Sequence, residues 1–564
     1  MSLPGNMEKV LDIARRRGFF WPAYETYGGA AGLFVFGDNG VKMRENIADL
    51  WRTIFVQPQG FPEIDGPELV PEQVLQASGH VANFKDPMAE CLDCHRKFRA
   101  DHLLADAGIF VGEGTPSEVI EARLLESKVS CPDCKATKWS VKPFLTMFQT
   151  GLGPYGEAVG YLRPETAQNI FVEFKRIFEL GRGRLPIGVA QVGRGFRNEI
   201  SPRQSLVRMR EFHMAEVELF FDPAGPECEF MKFVEDEKLN LLTEESVEKG
   251  KEEAVTETVK EALDSQHLKA PWLGYFMALS KIFLRRLGIP EERQRFKAKL
   301  KGERAHYSEQ TFDHEVLLDG WGWTEVAGHA YRTDYDLKSH MQGTGADYSV
   351  SIQFDPPKKT TKTIWSLNVP AVKVRYPERW KELMKAYGSL AEDAREREVP
   401  HELAGFVLER SMIRKVTKEE VVASKKLVPH VVEPSFGLDR VMLAAMVCSL
   451  YQKEKRDILR LPPEIAPVQV GVFPLLTKKE MITQAEEIVV KLESAGVSAF
   501  YDGSGSIGRR YARSDEIGAP LAVTVDHDTI SKGVVTVRKR DTWGQTSVGK
   551  EELVPVVKGL LAGP

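Results

Sequence analysis

The sequence predicts an α+β protein in two parts: a large N-terminal region combining β-runs with packed helices, and a smaller C-terminal α/β domain. Three observations predict it. Val192–Glu216 holds two β-like runs around a loop, with Arg197, Glu199, Arg208, Arg210, Glu211 and Glu216 alternating in sign. Three prolines fall within Leu461–Pro467, a composition break typical of a domain boundary. Beyond it, strand-like and helix-like segments alternate: Val468–Phe473, Lys478–Ala495, Ala499–Asp502, Ile507–Gly518, Leu521–Val525, Val534–Arg540 and Lys550–Leu561. That alternation predicts a mixed sheet over roughly a hundred residues. The expected domains are therefore 1–460 and 461–564.

The bulk composition narrows the class. The chain has 564 residues, 42% hydrophobic and 28% charged, within the range of globular proteins. Its net charge of −5 means that any nucleic acid must be met by local patches. No run approaches the roughly 18 apolar residues of a membrane span, so no membrane partner is expected. Met7–Gly18 reads as a short amphipathic helix carrying Arg15, Arg16 and Arg17, without an apolar signal core. Six cysteines in so long a chain argue against a disulfide scaffold, and a cytoplasmic protein is expected.

Taken in order, Asn46–Val56 places Ile47, Leu50, Trp51, Ile54 and Phe55 on one helical stripe. Cys91-Leu92-Asp93-Cys94 and Cys131-Pro132-Asp133-Cys134 follow, 36 residues apart, within a possible insertion spanning 85–150. Two such knuckles can complete a Cys₄ zinc site, and a filled thiolate shell is structural rather than catalytic. The competing reading is a pair of redox dithiols, although no thioredoxin-like βαβ unit surrounds them. Glu165 precedes a helix containing Phe171, Phe174, Ile177 and Phe178, where the helix dipole could hold its carboxylate for a ligand amine or serve only as a cap.

In a hairpin, side chains two apart share a face, which would aim Arg197 and Glu199 into one pocket. A fixed guanidinium fork beside a fixed acceptor suits a triphosphate and a base edge. Most charge-rich hairpins are solvated ribbons with weak ion pairs. A second stretch, Glu433–Arg440, separates this one from them. Arg440 opens an apolar helix just after Gly437, a position that is costly for a cation unless it meets an anion. Together the two stretches point to ATP. The strongly charged Glu227–Asp264 reads as a solvated helical insertion within 225–300, and Asp355–Lys362 as an exposed loop. Glu325, among glycines and tryptophans, is a candidate Mg²⁺ ligand. In the C-terminal domain Arg509, Arg510, Arg513, Arg538, Lys539 and Arg540 lie among Tyr501, Tyr511 and Trp543, a mixture suited to single-stranded bases.

Phe196-Arg197-Asn198-Glu199 paired with Gly437-Leu438-Asp439-Arg440 resembles motifs 2 and 3 of the class II aminoacyl-tRNA synthetases, and Asn46–Val56 resembles motif 1. More specifically, the chain resembles the homodimeric glycyl-tRNA synthetases. The matching segments are Ala77–Val81, Leu162–Gln168, Phe196–Pro202, Arg210–Glu216, Arg332–Leu337 and Glu433–Gly437, with Gly505–Tyr511 resembling the family's anticodon-binding domain. The resemblance covers nearly the whole chain. Asn169 stands where the family usually has glycine, and Gly322–Val326 is a loose version of a Gly-Trp-Gly-Glu-Leu run.

The resemblance implies a class II catalytic core, an antiparallel sheet flanked by helices, with a C-terminal α/β anticodon-binding domain. It implies ATP-dependent attachment of glycine to tRNA(Gly) through glycyl-adenylate, with ATP as substrate, Mg²⁺, a structural Zn²⁺ and a homodimer. Arg197, Glu199 and Arg440 would be the catalytic residues. With Asn198, Val207, Arg208, Phe212, Glu325, Val326 and Gly437 they would bind ATP. Arg99, Glu165, Phe212, Glu216, Glu433 and Ser435 would bind glycine, and Cys91, Cys94, Cys131 and Cys134 the metal. The alternatives are a class II synthetase for another amino acid, threonine and proline being nearest, and a catalytically silent RNA-binding regulator.

Overall fold

A computed structural model of the chain describes residues 5–112, 114–202, 204–304, 307–390 and 401–563. Along the chain the elements that build the site are α1 (Asp38–Phe55), α2 (Ala167–Leu180), β1 (Ile187–Phe196), β2 (Glu211–Phe221), β3 (Lys238–Leu242), β4 (Val255–Thr258), α3 (Pro271–Arg286), β5 (Gln294–Ala298), β6 (Gln310–Leu318), β7 (Gly322–Thr333), α4 (Tyr335–Thr344), β8 (His430–Gly437) and α5 (Leu438–Ser449). The strands form one eight-stranded sheet in the order β4-β3-β5-β6-β7-β8-β2-β1. Every neighbouring pair is antiparallel except β3 beside β5.

The two faces of the sheet do different work because side chains alternate along each strand. On one face Phe436 of β8 meets Trp51 and Phe55 of α1 and Phe283 of α3 in an aromatic cluster. The expected stripe Ile47, Leu50, Trp51, Ile54 and Phe55 is buried there, on a helix that begins eight residues earlier than its apolar pattern. On the opposite face Phe220 of β2 stacks on Phe174 of α2, ring centroids 4.2 Å apart. Glu216 and Glu218 share that face with Phe220 by parity, as do Glu433 and Ser435 on β8.

β1 carries Gly193 and Gly195 where larger side chains cross it. A Cβ on Gly193 would lie 2.3 Å from the Arg163 guanidinium, and one on Gly195 would lie 2.8 Å from both Met214 and Phe212. Arg163 is buried and spends its donors on carbonyls, Nε on Arg194 at 2.7 Å and Nη1 on Gly66 at 2.6 Å. Asn169, the departure noted above, donates to the carbonyl of Pro67 at 2.8 Å, tying α2 to the same segment.

Three expectations are corrected by the fold. The stretch 225–300 is not a solvated insertion: β3, β4 and β5 extend the main sheet, and α3 is buried along most of its length. Its Glu/Lys-rich part ends at Asp264, and the apolar run beginning at Pro271 is the helix that fills the core. The domain boundary lies later than 461, because Leu461, Ile465 and Ala466 pack into the core of the larger domain while the C-terminal core begins at Val470. Asp355–Lys362 is not a loop but lies within a strand, Val350–Leu367, paired with Ile413–Leu427. That ribbon belongs to a separate unit, Ser349–Leu427, which has its own small core of Leu367, Val372, Leu383, Tyr387, Phe406, Leu408 and Met412.

The C-terminal domain has the expected helices at Lys479–Ser494, Ile507–Ile517 and Leu553–Leu561, and adds an edge strand, Gln545–Gly549, to a five-stranded sheet. Half of its expected RNA-facing cations are buried and structural. Arg538 forms a bidentate pair with Asp515 at 2.8 and 3.0 Å. Arg510 donates to the carbonyls of Gly503 and Gly505, and Arg540 to those of Leu461 and Gly518. Arg509 and Lys539 remain exposed, and Arg513 pairs with Asp502. Guanidinium groups in this composition were needed for loop closure as much as for a ligand.

One buried group predicts a pH dependence. His329 of β7 lies in the core between Phe296 and Phe436, and neither ring nitrogen has a partner among the described residues. Burial pushes its pKa down to about 3. The unfolded chain therefore binds the extra proton below the ordinary histidine pKa, and stability is lost as pH falls. The loss is about 1.4 kcal/mol per pH unit between roughly 6.5 and 3. Urea titrations at pH 7.5, 6 and 5 should give a shallower acid loss for His329→Leu than for the native chain, by about one proton. Parallel slopes would refute this role for His329.

Candidate active site

The hairpin of β1 and β2 forms, but strand alternation is not what brings Arg197 and Glu199 together. β1 ends at Phe196, and both residues lie in the loop that follows. The backbone N–H of Arg197 still donates to Arg210 O at 2.9 Å, and that of Glu199 turns back on Arg197 O at 2.8 Å. Both side chains consequently reach one cavity, whose wall also includes Val207, Arg208, Phe212, Glu325, Val326, Ser435, Gly437 and Arg440. These are nine of the ten residues expected around ATP, together with Ser435. The tenth, Asn198, is absent from the lining, and its backbone N–H donates to Thr146 O at 2.7 Å.

The cavity is electrostatically prepared for an anion beside a flat ring. The Arg197 guanidinium lies 5.5 Å from the centroid of Phe212 and donates to Pro164 O at 3.4 Å. Arg440 is held by the carbonyl of Val207 at 2.8 Å, and its Nη1 lies 3.4 Å from Glu325 Oε2. The anion that offsets Arg440 within the protein is thus Glu325, whose side chain is 43% exposed. Glu199 Oε2 is buried without a hydrogen-bond partner among the described residues, with Arg208 Nε 3.8 Å away. Sequence reasoning missed His213 and Asp439 here. The His213 backbone N–H donates to Asp439 Oδ2 at 2.6 Å, fastening β2 to the first turn of α5 beneath Arg440.

Beside this cavity four of the residues expected around an amine converge. Glu216 accepts hydrogen bonds from the Thr166 backbone N–H at 2.8 Å, from the Thr166 hydroxyl, and from the Ser435 hydroxyl at 2.5 Å. The register explains the last, since Glu216 and Ser435 are directly opposed on β2 and β8. Glu433 accepts from Arg332 Nη1 at 2.7 Å. Glu165 lies just ahead of α2, 3.3 Å from His80 Nε2 and 3.7 Å from Arg332 Nη2. Burial raises the Glu165 carboxyl, but His80, Arg332 and Gln168 outweigh it and hold it well below the usual carboxylate range.

Two expected residues stand apart from this cluster. Phe212 lines the first cavity only. Arg99 lines a different and larger cavity, where it pairs with Asp86 at 3.1 Å and Asp101 at 2.6 Å. Its two carboxylate partners lie on elements of the cysteine-bearing subdomain or beside them, and they keep the guanidinium there.

The residue that organises the second cluster was not assigned a role from sequence. Arg332 of β7 is fully buried and binds Asp336 of α4 with both Nε and Nη2 at 2.9 Å while reaching Glu433 with Nη1. The ring centroids of Tyr307 and Phe171 lie 3.8 Å and 5.0 Å from the guanidinium carbon. A signal existed in the spacing Arg332…Asp336, but a helix-surface ion pair has the same spacing.

The four CxxC cysteines also come together. Their sulfurs all lie within 4.8 Å of one another, Cys91 to Cys134 at 3.5 Å and Cys94 to Cys131 at 3.7 Å. Those separations suit four thiolates around a tetrahedral ion at about 2.3 Å. The cluster joins the knuckle after Lys85–Cys91 to the knuckle before Trp139–Leu145, two strands that pair directly. No cysteine among them is in a disulfide.

Comparison with known proteins follows the same lines. An anticodon binding domain family matches residues 469–560. The glycine–tRNA ligase of Aeropyrum pernix is 43% identical, covering 97% of this chain and 95% of that protein. Those of Methanothermobacter thermautotrophicus and Pyrococcus furiosus are each 41% identical, covering 98% and 99% of this chain and 99% of each relative. Among solved structures, the prolyl-tRNA synthetase of Cryptosporidium parvum, complexed with L-proline and AMP, shares the fold with a TM-score of 0.53 and 13% identity. That match covers 98% of this chain and 74% of the other.

Proposed function

Because this chain belongs to the glycine–tRNA ligase family, we propose that it attaches glycine to tRNA(Gly) at the expense of ATP, through a glycyl-adenylate formed between its two clusters. The observation that carries the division of labour is Ser435. Its side chain lines the nucleotide cavity and donates to Glu216 of the carboxylate cluster, so the two sites share a wall.

The first step requires no side-chain base. A glycine carboxylate oxygen attacks the α-phosphorus, the bond to the bridging oxygen breaks, and pyrophosphate leaves. Arg197 stabilises charge on the α-phosphoryl oxygens, with Phe212 as a stacking surface for the base. Glu199, whose buried Oε2 has no donor among the described residues, accepts from the adenine amino group. Arg440 and Arg208 answer the outer phosphates. Mg²⁺ bound through Glu325 and the phosphates would further neutralise the triphosphate. In the second step a terminal hydroxyl of the tRNA attacks the glycyl carbonyl, AMP leaves, and the ester forms. Glu165, Glu216 and Glu433 hold the ammonium, while the rigid side chains around them exclude a methyl at Cα. An apolar pocket alone discriminates one methylene by only about 1–3 kcal/mol.

ATP–pyrophosphate exchange across all amino acids tests the reading. Exchange with glycine, followed by charging of tRNA(Gly), is expected; exchange with threonine or proline and none with glycine would sink it.

The cysteine cluster is proposed to hold one structural Zn²⁺, locking the 85–150 subdomain. Elemental analysis should give close to one zinc per chain, and Cys91→Ser should lose the metal. A stoichiometry near zero in freshly purified protein refutes the assignment. A cytoplasmic homodimer completes the proposal. No helix among the described residues is long and apolar enough to cross a membrane.

A further inference from the structure

The carboxylate cluster contains more acid than a bound ammonium needs. Glu216 and Glu218 come from β2, Glu433 from β8, Asp336 from α4, and Glu165 from the segment before α2. The groups facing them are Arg332 of β7, the buried Arg163, which acts on Glu216, His80 of the helix His80–Asn83, Tyr307 from the segment before β6, and His340 of α4, which bonds Gln168 at 3.0 Å. All five carboxyls are at most 6% exposed. If all were ionised, even a charged His80 beside Arg332 and Arg163 would leave two negative charges uncompensated in a buried space, a severe desolvation cost.

Hydrogen bonding separates the five. Donors reach both oxygens of Glu216 and of Asp336. Glu165 takes Gln168 and faces His80. Among the described residues Glu433 takes one hydrogen bond, from Arg332, and neither oxygen of Glu218 has a partner.

We propose that in the empty site Glu433 holds a proton, that this proton passes to solvent when the glycine ammonium enters, and that Glu218 remains a neutral acid in both states. This rests on the reading of glycine as the substrate. An ammonium carries three donors and no acceptor, so an acid O–H pointing at it sets donor against donor, whereas a carboxylate accepts from it. Burial pushes Glu433 up to about 8 despite Arg332, with Glu216 and Glu165 adding to the rise. Burial also carries Glu218 well above the carboxylate range, reinforced by Glu433 and opposed by Arg332. The sign follows directly. Binding must expel a proton below that value, so glycine binds more weakly as pH falls and the dependence levels off above it. Glu433 is thus a substrate ligand with a titration, and Glu218 a positioning residue that keeps the floor of the pocket uncharged.

The test is calorimetry of glycine binding to the full-length protein, saturated with a non-hydrolysable ATP analogue, in buffers of equal pH and different ionisation enthalpy. About one proton should be released per glycine at pH 7, and affinity should rise close to tenfold per pH unit between about 6 and 7.5. Glu433→Gln should abolish the release, whereas Glu218→Gln should keep it. Glycine binding without proton release in the native protein, or unchanged release from Glu433→Gln, overturns the proposal. Loss of the release in Glu218→Gln overturns it too, by moving the proton to Glu218. Should Glu433→Gln fail to bind, infrared difference spectra of the native protein decide: loss of a protonated-carboxyl band on glycine addition supports the proposal, and an unchanged band rejects it. No glycine binding, together with exchange driven by another amino acid, would instead reject the substrate reading.

Discussion

Arg197→Ala is expected to lower glycine-dependent ATP–pyrophosphate exchange by about 10²–10³-fold, the range for removing one preorganised donor from a developing oxyanion. The side chain contributes little to the fold: its only hydrogen bond among the described residues is a long one to Pro164 O, at 3.4 Å. It also lies over the faces of Phe84 and Phe212, at 5.3 and 5.5 Å, and within electrostatic reach of Glu325. The urea midpoint should therefore stay close to the native value while kcat falls. Arg197→Lys should recover only part of the rate, because an ammonium cannot present the planar two-donor fork. An exchange rate within tenfold of native for Arg197→Ala, measured on folded protein, would remove the residue from the catalytic step.

The second large effect is expected at Arg332, where the fold and the proposed glycine pocket depend on one guanidinium. Arg332→Met leaves Asp336, Glu433 and Glu165 crowded without their shared cation. Breaking a buried ion pair by removing one partner costs about 3–5 kcal/mol. Denaturant titration should show a loss of that order, and glycine-dependent exchange should vanish. Adding Asp336→Asn should restore part of the stability by removing one of the stranded charges, without restoring exchange. A single variant as stable as the native chain would mean that the carboxyls simply take up protons, and that Arg332 does not hold the cluster together.

Much of the fold was readable because it rests on local patterns. The apolar stripe of α1, the hairpin, the CxxC knuckles and the C-terminal alternation each follow from residues close in the chain. The misreadings share one origin. The charge of Glu227–Asp264 says nothing of the buried α3 beyond it, and charge on an edge strand does not reveal that the strand belongs to the central sheet. The sequence neighbours of Arg538 and Arg540 suggest an exposed basic patch, whereas Asp515 and the carbonyls of Leu461 and Gly518 claim them in space.

The sequence by itself determined the class II α+β fold, the C-terminal domain, the four cysteines, and which residues to look for in two places: Arg197, Glu199, Phe212 and Arg440, which line one cavity, and Glu165, Glu216 and Glu433, which converge beside it. These are short motifs whose chemistry is carried by residue type and local order. Only the tertiary structure decided that Arg332 is the hub, that Glu218 has no hydrogen-bond partner among the described residues, that His80 pairs with Glu165, and that Arg99 belongs to another cavity. A buried charge acquires its role from whatever carboxylate or empty space lies opposite it. Here those opposites come from β2, β7, β8, α4 and the approach to α2, as much as 268 residues apart between Glu165 and Glu433.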